Sequence, residues 1–163
     1  IFMNGCGPVS VIFLCVLLSG CLMSRPQQSL IHEGDTLPVT HFETVDGQNI
    51  HFDAKTKKLL ILFNTWCPHS KKALKDLARS SLVRRKDLVI VAVAPGEGGE
   101  AIQDFRRTQP IPIHFVADFY RNIYGQLATS GVPRFYLVDK SNRVVKEFFG
   151  WHDGAVSKLD WAP

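Results

Sequence analysis

Thiols are scarce in this chain, and so is any means of pairing them. The 163 residues contain four cysteines, at positions 6, 15, 21 and 67. Three fall in the opening stretch, and only Cys67 lies in the long remainder. A fold stapled by internal disulfides is therefore excluded for that remainder. Methionine is rarer still, at Met3 and Met23, which leaves a soft-ligand copper site short of donors. The net charge is only +4, from 19 basic and 15 acidic side chains, too mild to point to nucleic acid. There is no internal repeat and no low-complexity tract. A hydrophobic content of 45% with 21% charged residues fits a globular chain long enough to bury a core.

The first 20 residues contain no Lys, Arg, Asp or Glu. Val9 to Leu18 is apolar, too short to cross a bilayer as a helix, and suits the apolar core of a signal peptide. It runs into Leu18-Ser19-Gly20-Cys21. That run resembles a bacterial lipobox, in which a leucine and two small residues precede the cysteine that takes lipid and becomes the new N-terminus. The stretch ahead of the apolar run lacks the positive charge usual in such signals. An ordinary cleaved signal, or a buried apolar segment, is the other reading. On the lipobox reading, residues 1–20 are a signal peptide, 21–31 a polar tether and 32–163 a globular domain. The domain is then lipid-anchored in the cell envelope, facing the periplasm or the exterior. Cys6 and Cys15 leave with the signal, Cys21 carries lipid, and Cys67 is the one thiol of the domain. Such a compartment permits disulfides, yet this domain can form none internally, so Cys67 is not a structural staple.

Along the domain, Thr40 to Val45 and Gln48 to Phe52 flank Asp46-Gly47, which predicts a type I′ hairpin. Leu59 to Phe63 is a continuous apolar run, as in a strand buried on both faces. Pro68 to Ser80 reads as a helix with Ala73, Leu74, Leu77 and Ala78 on one stripe. Leu88 to Ala94 is a second buried strand, followed by an amphipathic helix with Ala101, Ile102 and Phe105 on one side, ended by Pro110 and Pro112. Ile113 to Ala117 reads as a strand and Asn122 to Ala128 as a short helix. Phe135 to Val138 and Val144 to Phe149 form a closing hairpin, and Gly154 to Leu159 is a weak terminal helix. Alternating strands and helices predict an α/β domain with a parallel-centred sheet, to which the closing hairpin adds antiparallel strands.

The chemistry concentrates at Trp66-Cys67-Pro68-His69-Ser70, at a strand-to-helix turn. A helix N-terminus offers partial positive charge and unsatisfied N–H donors, which favour a thiolate. Pro68 fits the first turn, where its missing N–H costs nothing. Trp66 either shapes the approach to Cys67 or packs. His69 either hydrogen-bonds or charge-stabilises the sulfur, or is simply exposed. A dithiol site would carry its second cysteine at position 70, and here that residue is Ser70. Downstream, Lys71, Lys72, Lys75, Arg79, Arg84, Arg85 and Lys86 face only Asp76. They read as a solvated helix face, or as a basic apron that favours the thiolate and attracts acidic partners.

With these motifs the chain resembles the thioredoxin-like superfamily, and within it the exported, membrane-tethered TlpA- and ResA-like thiol–disulfide oxidoreductases and their redoxin-type relatives. Four elements carry the resemblance, over about His32 to Trp151: Gly34-Asp35-Thr36-Leu37-Pro38 with Asp46-Gly47; Trp66 to Ser70 after a buried strand; an inserted strand–helix unit, Val91 to Ala117; and Gly131-Val132-Pro133 before Phe135-Tyr136-Leu137-Val138-Asp139. The resemblance implies a thioredoxin-like fold, a central mixed sheet flanked by helices with an N-terminal β-hairpin. It implies a cis Pro133 facing Cys67, with the Val132 backbone exposed for pairing with a substrate chain. Glu97, in Gly96-Glu97-Gly98, becomes a candidate acid/base group tuning Cys67; its alternative is an exposed loop carboxylate.

The resemblance implies no cofactor and no metal. The function expected is thiol–disulfide exchange through Cys67 alone. Its mixed disulfide would be resolved by an external thiol: glutathione, a partner's thiol or the substrate's second cysteine. The expected partners are thiol- or disulfide-bearing envelope proteins or glutathione, and the membrane through the lipid, without nucleic acid. The main alternative is a degenerate, non-catalytic binding module. A one-cysteine peroxidase fits less well, because Leu60 to Cys67 does not match the Pro-x-x-x-Thr-x-x-Cys run of peroxiredoxins. A copper-handling site would need a second cysteine where Lys71 stands, and His114 reads as a strand-end histidine.

Overall fold

The computed structural model describes residues 28–161. The signal peptide and the lipidation site at Cys21 expected from the sequence lie outside them. Within them the elements follow in the order β1 (His41–Glu43), β2 (Asn49–His51), β3 (Lys57–Leu62), α1 (Pro68–Arg79), β4 (Leu88–Pro95), α2 (Gly99–Thr108), β5 (His114–Asp118), α3 (Tyr124–Leu127), β6 (Arg134–Val138) and β7 (Val144–Phe149). Short 3₁₀ turns cover Leu82–Arg84 and Ala155–Lys158, the latter in place of the expected terminal helix.

The apolar runs that lack alternation become the centre of the sheet. Its order is β5-β4-β3-β6-β7. β3 pairs parallel with β4, and β4 with β5, while β6 and β7 run antiparallel. Successive side chains of β3 point to opposite faces. Leu59 and Ile61 join Leu74, Leu77, Ile102, Phe105 and Phe135 on one face. Leu60 and Leu62 join Phe42, Phe52, Leu127 and Tyr136 on the other. Because both faces are covered, polar alternation would have cost burial everywhere. Helix α1 buries Ala73, Leu74 and Leu77 and stops where Ser80 turns its N–H and hydroxyl back to the Leu77 carbonyl.

Four expectations change. The β1–β2 turn is not type I′. Gly47 is left-handed (φ 74°) but Asp46 is not. The Gly47 N–H bonds the Thr44 carbonyl, and the Gln48 N–H bonds the Thr44 hydroxyl. A type I′ turn would place a side-chain-bearing residue at positive φ, whereas the wider turn asks this only of glycine. On α2, Ala101 is exposed; Ile102 and Phe105 are buried. The main body also begins before His32. Leu30 N–H bonds the Leu127 carbonyl at 2.8 Å, Thr129 N–H bonds the Gln28 carbonyl at 3.0 Å, and the buried Ser29 hydroxyl meets Tyr136 Oη at 3.1 Å. Residues 28–31 of the expected tether thus belong to the domain. Finally, β3 starts at Lys57, and Lys58 is fully buried. Its Nζ donates to the Asp139 and Lys140 carbonyls at the β6–β7 turn, and burial pulls its pKa below the usual lysine value.

Candidate active site

The reactive edge follows from strand direction. β3, β4 and β5 all end on one side of the sheet, and antiparallel β6 begins there. The loops leaving these ends are therefore neighbours, although they are far apart in sequence.

Cys67 is the N-cap of α1, in extended conformation (φ −79°, ψ 119°). Its carbonyl accepts the first helical bond, from Lys71 N–H at 3.0 Å, and its N–H donates to the Asn64 carbonyl at 3.2 Å. No side chain caps the helix and no acid lies in its first turn. The positive end of α1 is therefore not offset by an acid of its own first turn, and Cys67 stands at that end. Cys67 Sγ lies 3.9 Å from the Val132 carbonyl oxygen, and the Val132–Pro133 bond is cis. Cys67 is the free thiol of the described residues and is 7% exposed.

Ser70, at the position of the absent second thiol, is fully buried and accepts a 3.3 Å hydrogen bond from Asn64 N–H. Pro68 opens the helix. Trp66 (68% exposed) and His69 project into solvent. Glu97 is not an exposed loop carboxylate. It is buried, and its partners are Asn64 and Thr65 rather than the thiol. Oε1 accepts from Asn64 Nδ2 at 2.5 Å and Thr65 N–H at 2.9 Å; Oε2 accepts from the Thr65 hydroxyl at 2.6 Å. Asn64 Nδ2 also donates to the Pro95 carbonyl at 2.9 Å. Glu97 thus clamps the loop that delivers Cys67, using the ends of two parallel neighbours, β3 and β4.

The facing loop has its own braces. Arg134 is buried and donates to the Ser130 carbonyl from Nη2 (2.7 Å) and Nε (3.1 Å), its guanidinium over the Phe149 ring. Tyr124 Oη donates to the Gly131 carbonyl at 3.2 Å, and burial raises the Tyr124 pKa. Both braces fix the carbonyls immediately before Val132. Sequence reasoning missed Asn64, Thr65, Tyr124 and Arg134. The available signal was a polar pair, Asn64-Thr65, ending an apolar strand, and a charge directly after Pro133.

Apart from Lys71, exposed in the first turn of α1, other expected groups fall away from this site. The basic run is partly neutralised: Lys72 pairs with Asp76 and Asp153, and Arg85 with Asp87. His114 starts β5, at the opposite end from Cys67, and burial lowers its pKa. Among the described residues no group of three or more His, Cys, Asp or Glu is placed to hold a metal ion.

This topology, with a helix-capping cysteine opposite a cis proline, is a thioredoxin-like fold, and comparison with solved structures agrees. A candidate protein disulfide isomerase from Bacteroides thetaiotaomicron superposes with a TM-score of 0.75 at 16% identity, covering 82% of this chain and 88% of that one. StoA from Bacillus subtilis gives 0.61 at 18% identity, covering 76% and 97%. In sequence, the chain is 28% identical over 123 residues to the thiol-disulfide oxidoreductase ResA of Bacillus subtilis, covering 74% of this chain and 69% of that protein. No family model matches the chain.

Proposed function

We propose that this protein carries out thiol–disulfide exchange with Cys67 as its single nucleophile. The observation that supports it most is the placement of Cys67 Sγ, at the N-cap of α1 and 3.9 Å from the Val132 carbonyl. The Cys67 thiolate attacks one sulfur of a substrate disulfide. That S–S bond breaks, the second sulfur leaves as a thiolate, and a mixed disulfide remains. Ser70 cannot resolve it. An external thiol, from glutathione, a partner or the substrate's other cysteine, then attacks the mixed disulfide and releases Cys67. An outside thiol thereby takes over the substrate sulfur as a new mixed disulfide, and a second equivalent of that thiol frees the substrate thiol and leaves as the oxidised disulfide; with a further cysteine of the substrate the disulfide is rearranged. The N–H groups at the start of α1 stabilise the sulfur anion at each step. The Val132 backbone offers an edge for an extended substrate chain. Similarity to a thiol-disulfide oxidoreductase supports the same class of reaction.

The run Leu18-Ser19-Gly20-Cys21 supports lipid attachment at Cys21 and a place in the cell envelope. A peroxidase is disfavoured by the same geometry. The Thr65 hydroxyl is committed to Glu97 and the Arg134 guanidinium to Ser130, which leaves neither to hold a peroxide.

Incubation with glutathione disulfide and intact-mass measurement tests the reading. The wild type should gain one glutathione at Cys67, reversed by added glutathione, and Cys67→Ala should gain none. A native chain that stays unmodified while the denatured chain reacts would assign the domain to non-catalytic binding instead.

A further inference from the structure

Four of the five large apolar side chains exposed among the described residues sit on the thiol edge: Trp66 (68%), Phe119 (61%), Tyr120 (81%) and Phe149 (45%). They come from different loops and strand ends, so no single amphipathic segment accounts for them. Patches of this kind on an otherwise polar surface mark interaction sites. Phe119 and Tyr120 pack edge-to-face, with ring centroids 5.2 Å apart. Their loop is built rigidly. The Asp118 carboxylate accepts from the N–H groups of Ile123 and Tyr124, and its carbonyl accepts from Gly96 and Arg121. Asp118 is buried, so two aromatics are held in solvent by a polar clamp beneath them. Rigid, exposed aromatic rings are an economical way to bind, since little freedom is lost on contact.

We infer that the Phe119–Tyr120 loop is a specificity wall, and that the substrate of Cys67 is an extended polypeptide bearing an aromatic side chain near its reacting cysteine. This rests on the exchange reaction proposed above. Strand order sets the spacing. β5 lies two strands from β3, about 10 Å at ~4.8 Å per strand, which an extended chain covers in about three residues at ~3.3 Å each. An extended chain that crosses from Cys67 toward β5 therefore brings a side chain about three positions from its cysteine to Phe119 and Tyr120. Charge adds a preference. Glu97 and Asp118 are buried, and of the charges exposed here two are basic, Lys71 and Arg121, against one acid, Glu100 in the first turn of α2. An acidic segment suits this edge better than a basic one.

The test uses short acidic peptides whose single cysteine is activated as a mixed disulfide with nitrothiobenzoate. Attack by Cys67 on the peptide sulfur expels the coloured thiolate and leaves the peptide on Cys67. One peptide pair carries Phe three positions before or after the cysteine; the reference carries Ser. An aromatic contact predicts roughly three- to tenfold faster exchange for at least one Phe placement, and collapse of that ratio toward one in the Phe119→Ser/Tyr120→Ser protein. Equal rates for all peptides in the wild type overturn the inference. So does a preference that survives the double substitution, or an unchanged ratio with weakened binding to phosphatidylglycerol vesicles, which would assign the patch to membrane. Glutathione disulfide separates the two levels. If it reacts with Cys67 while peptides show no preference, the exchange reading stands and the wall does not; if neither reacts, the exchange reading itself fails.

Discussion

Glu97 grips Thr65 at two points, accepting the backbone N–H at 2.9 Å and the hydroxyl at 2.6 Å. The residues are 32 positions apart and meet because β3 and β4 end side by side. Replacing Glu97 by Ala strands the donors of Asn64 and Thr65. Stability should fall by about 2–4 kcal/mol in urea melts, as expected for buried donors that lose a charged acceptor. Exchange at Cys67 with glutathione disulfide should slow as its loop loosens. A Glu97→Ala protein with wild-type stability and rate would show the clamp to be idle.

Ser70→Cys should change the outcome of the reaction rather than its first step. The wild type is expected to accumulate the glutathione adduct. The variant should lose it to an internal disulfide between Cys67 and the introduced thiol, since a thiol one helical turn on attacks the adduct. Intact mass distinguishes the two products. Persistent glutathione on the variant would mean that the buried pocket of Ser70 holds the new thiol away from Cys67.

Asp76 gives a handle in acid. The Trp151 indole N–H and the Lys72 ammonium both donate to its carboxylate, at 2.9 and 3.1 Å, and they hold its pKa below 3.8 in the folded state, the indole contributing most. A lowered carboxyl pKa stabilises the fold above ~3.8 and loses that contribution as pH falls through the folded value. Asp76→Asn should cost on the order of 1 kcal/mol at pH 7, and the difference should shrink toward pH 3. Unfolding followed by tryptophan fluorescence reports both.

His114 titrates with the opposite chemistry and the same sign. Burial lowers its pKa below 6.5, against a smaller pull from Asp46. Below about pH 6.5 the unfolded chain binds a proton that the folded one refuses, so stability falls as the solution is acidified. His114→Gln should flatten the stability profile between pH 6.5 and 5. An unchanged slope would show that another group controls this range.

The sheet and the thiol are legible because their signals are local. Leu59 to Phe63 is apolar without a break, and Cys67-Pro68 opens a helix whose stripe is plain. What stays hidden depends on contacts distant in sequence. Lys58 looks like a strand boundary until the carbonyls of Asp139 and Lys140 are seen to receive it. The grip of Glu97 on Asn64 and Thr65 shows only once β3 and β4 are paired. Ser29 sits in a polar stretch with little apolar content, and its burial becomes sensible only beside Tyr136. The Asp46-Gly47 turn departs from its dipeptide signal because the Thr44 hydroxyl sets its width.

The hydrogen bond between Thr129 and Gln28 also sets a leash. Thr129 stands three residues before Val132, so the chain enters the domain beside the loop that faces the thiol. With the lipid proposed at Cys21, the intervening chain can stretch at most about 25 Å, at ~3.6 Å per residue. Cys67 would then work within a shallow layer above the bilayer. With that anchor, substrates would be selected by altitude as well as by chemistry: segments emerging from or lying along the membrane would be in range, and proteins free in the bulk would have to descend to be touched.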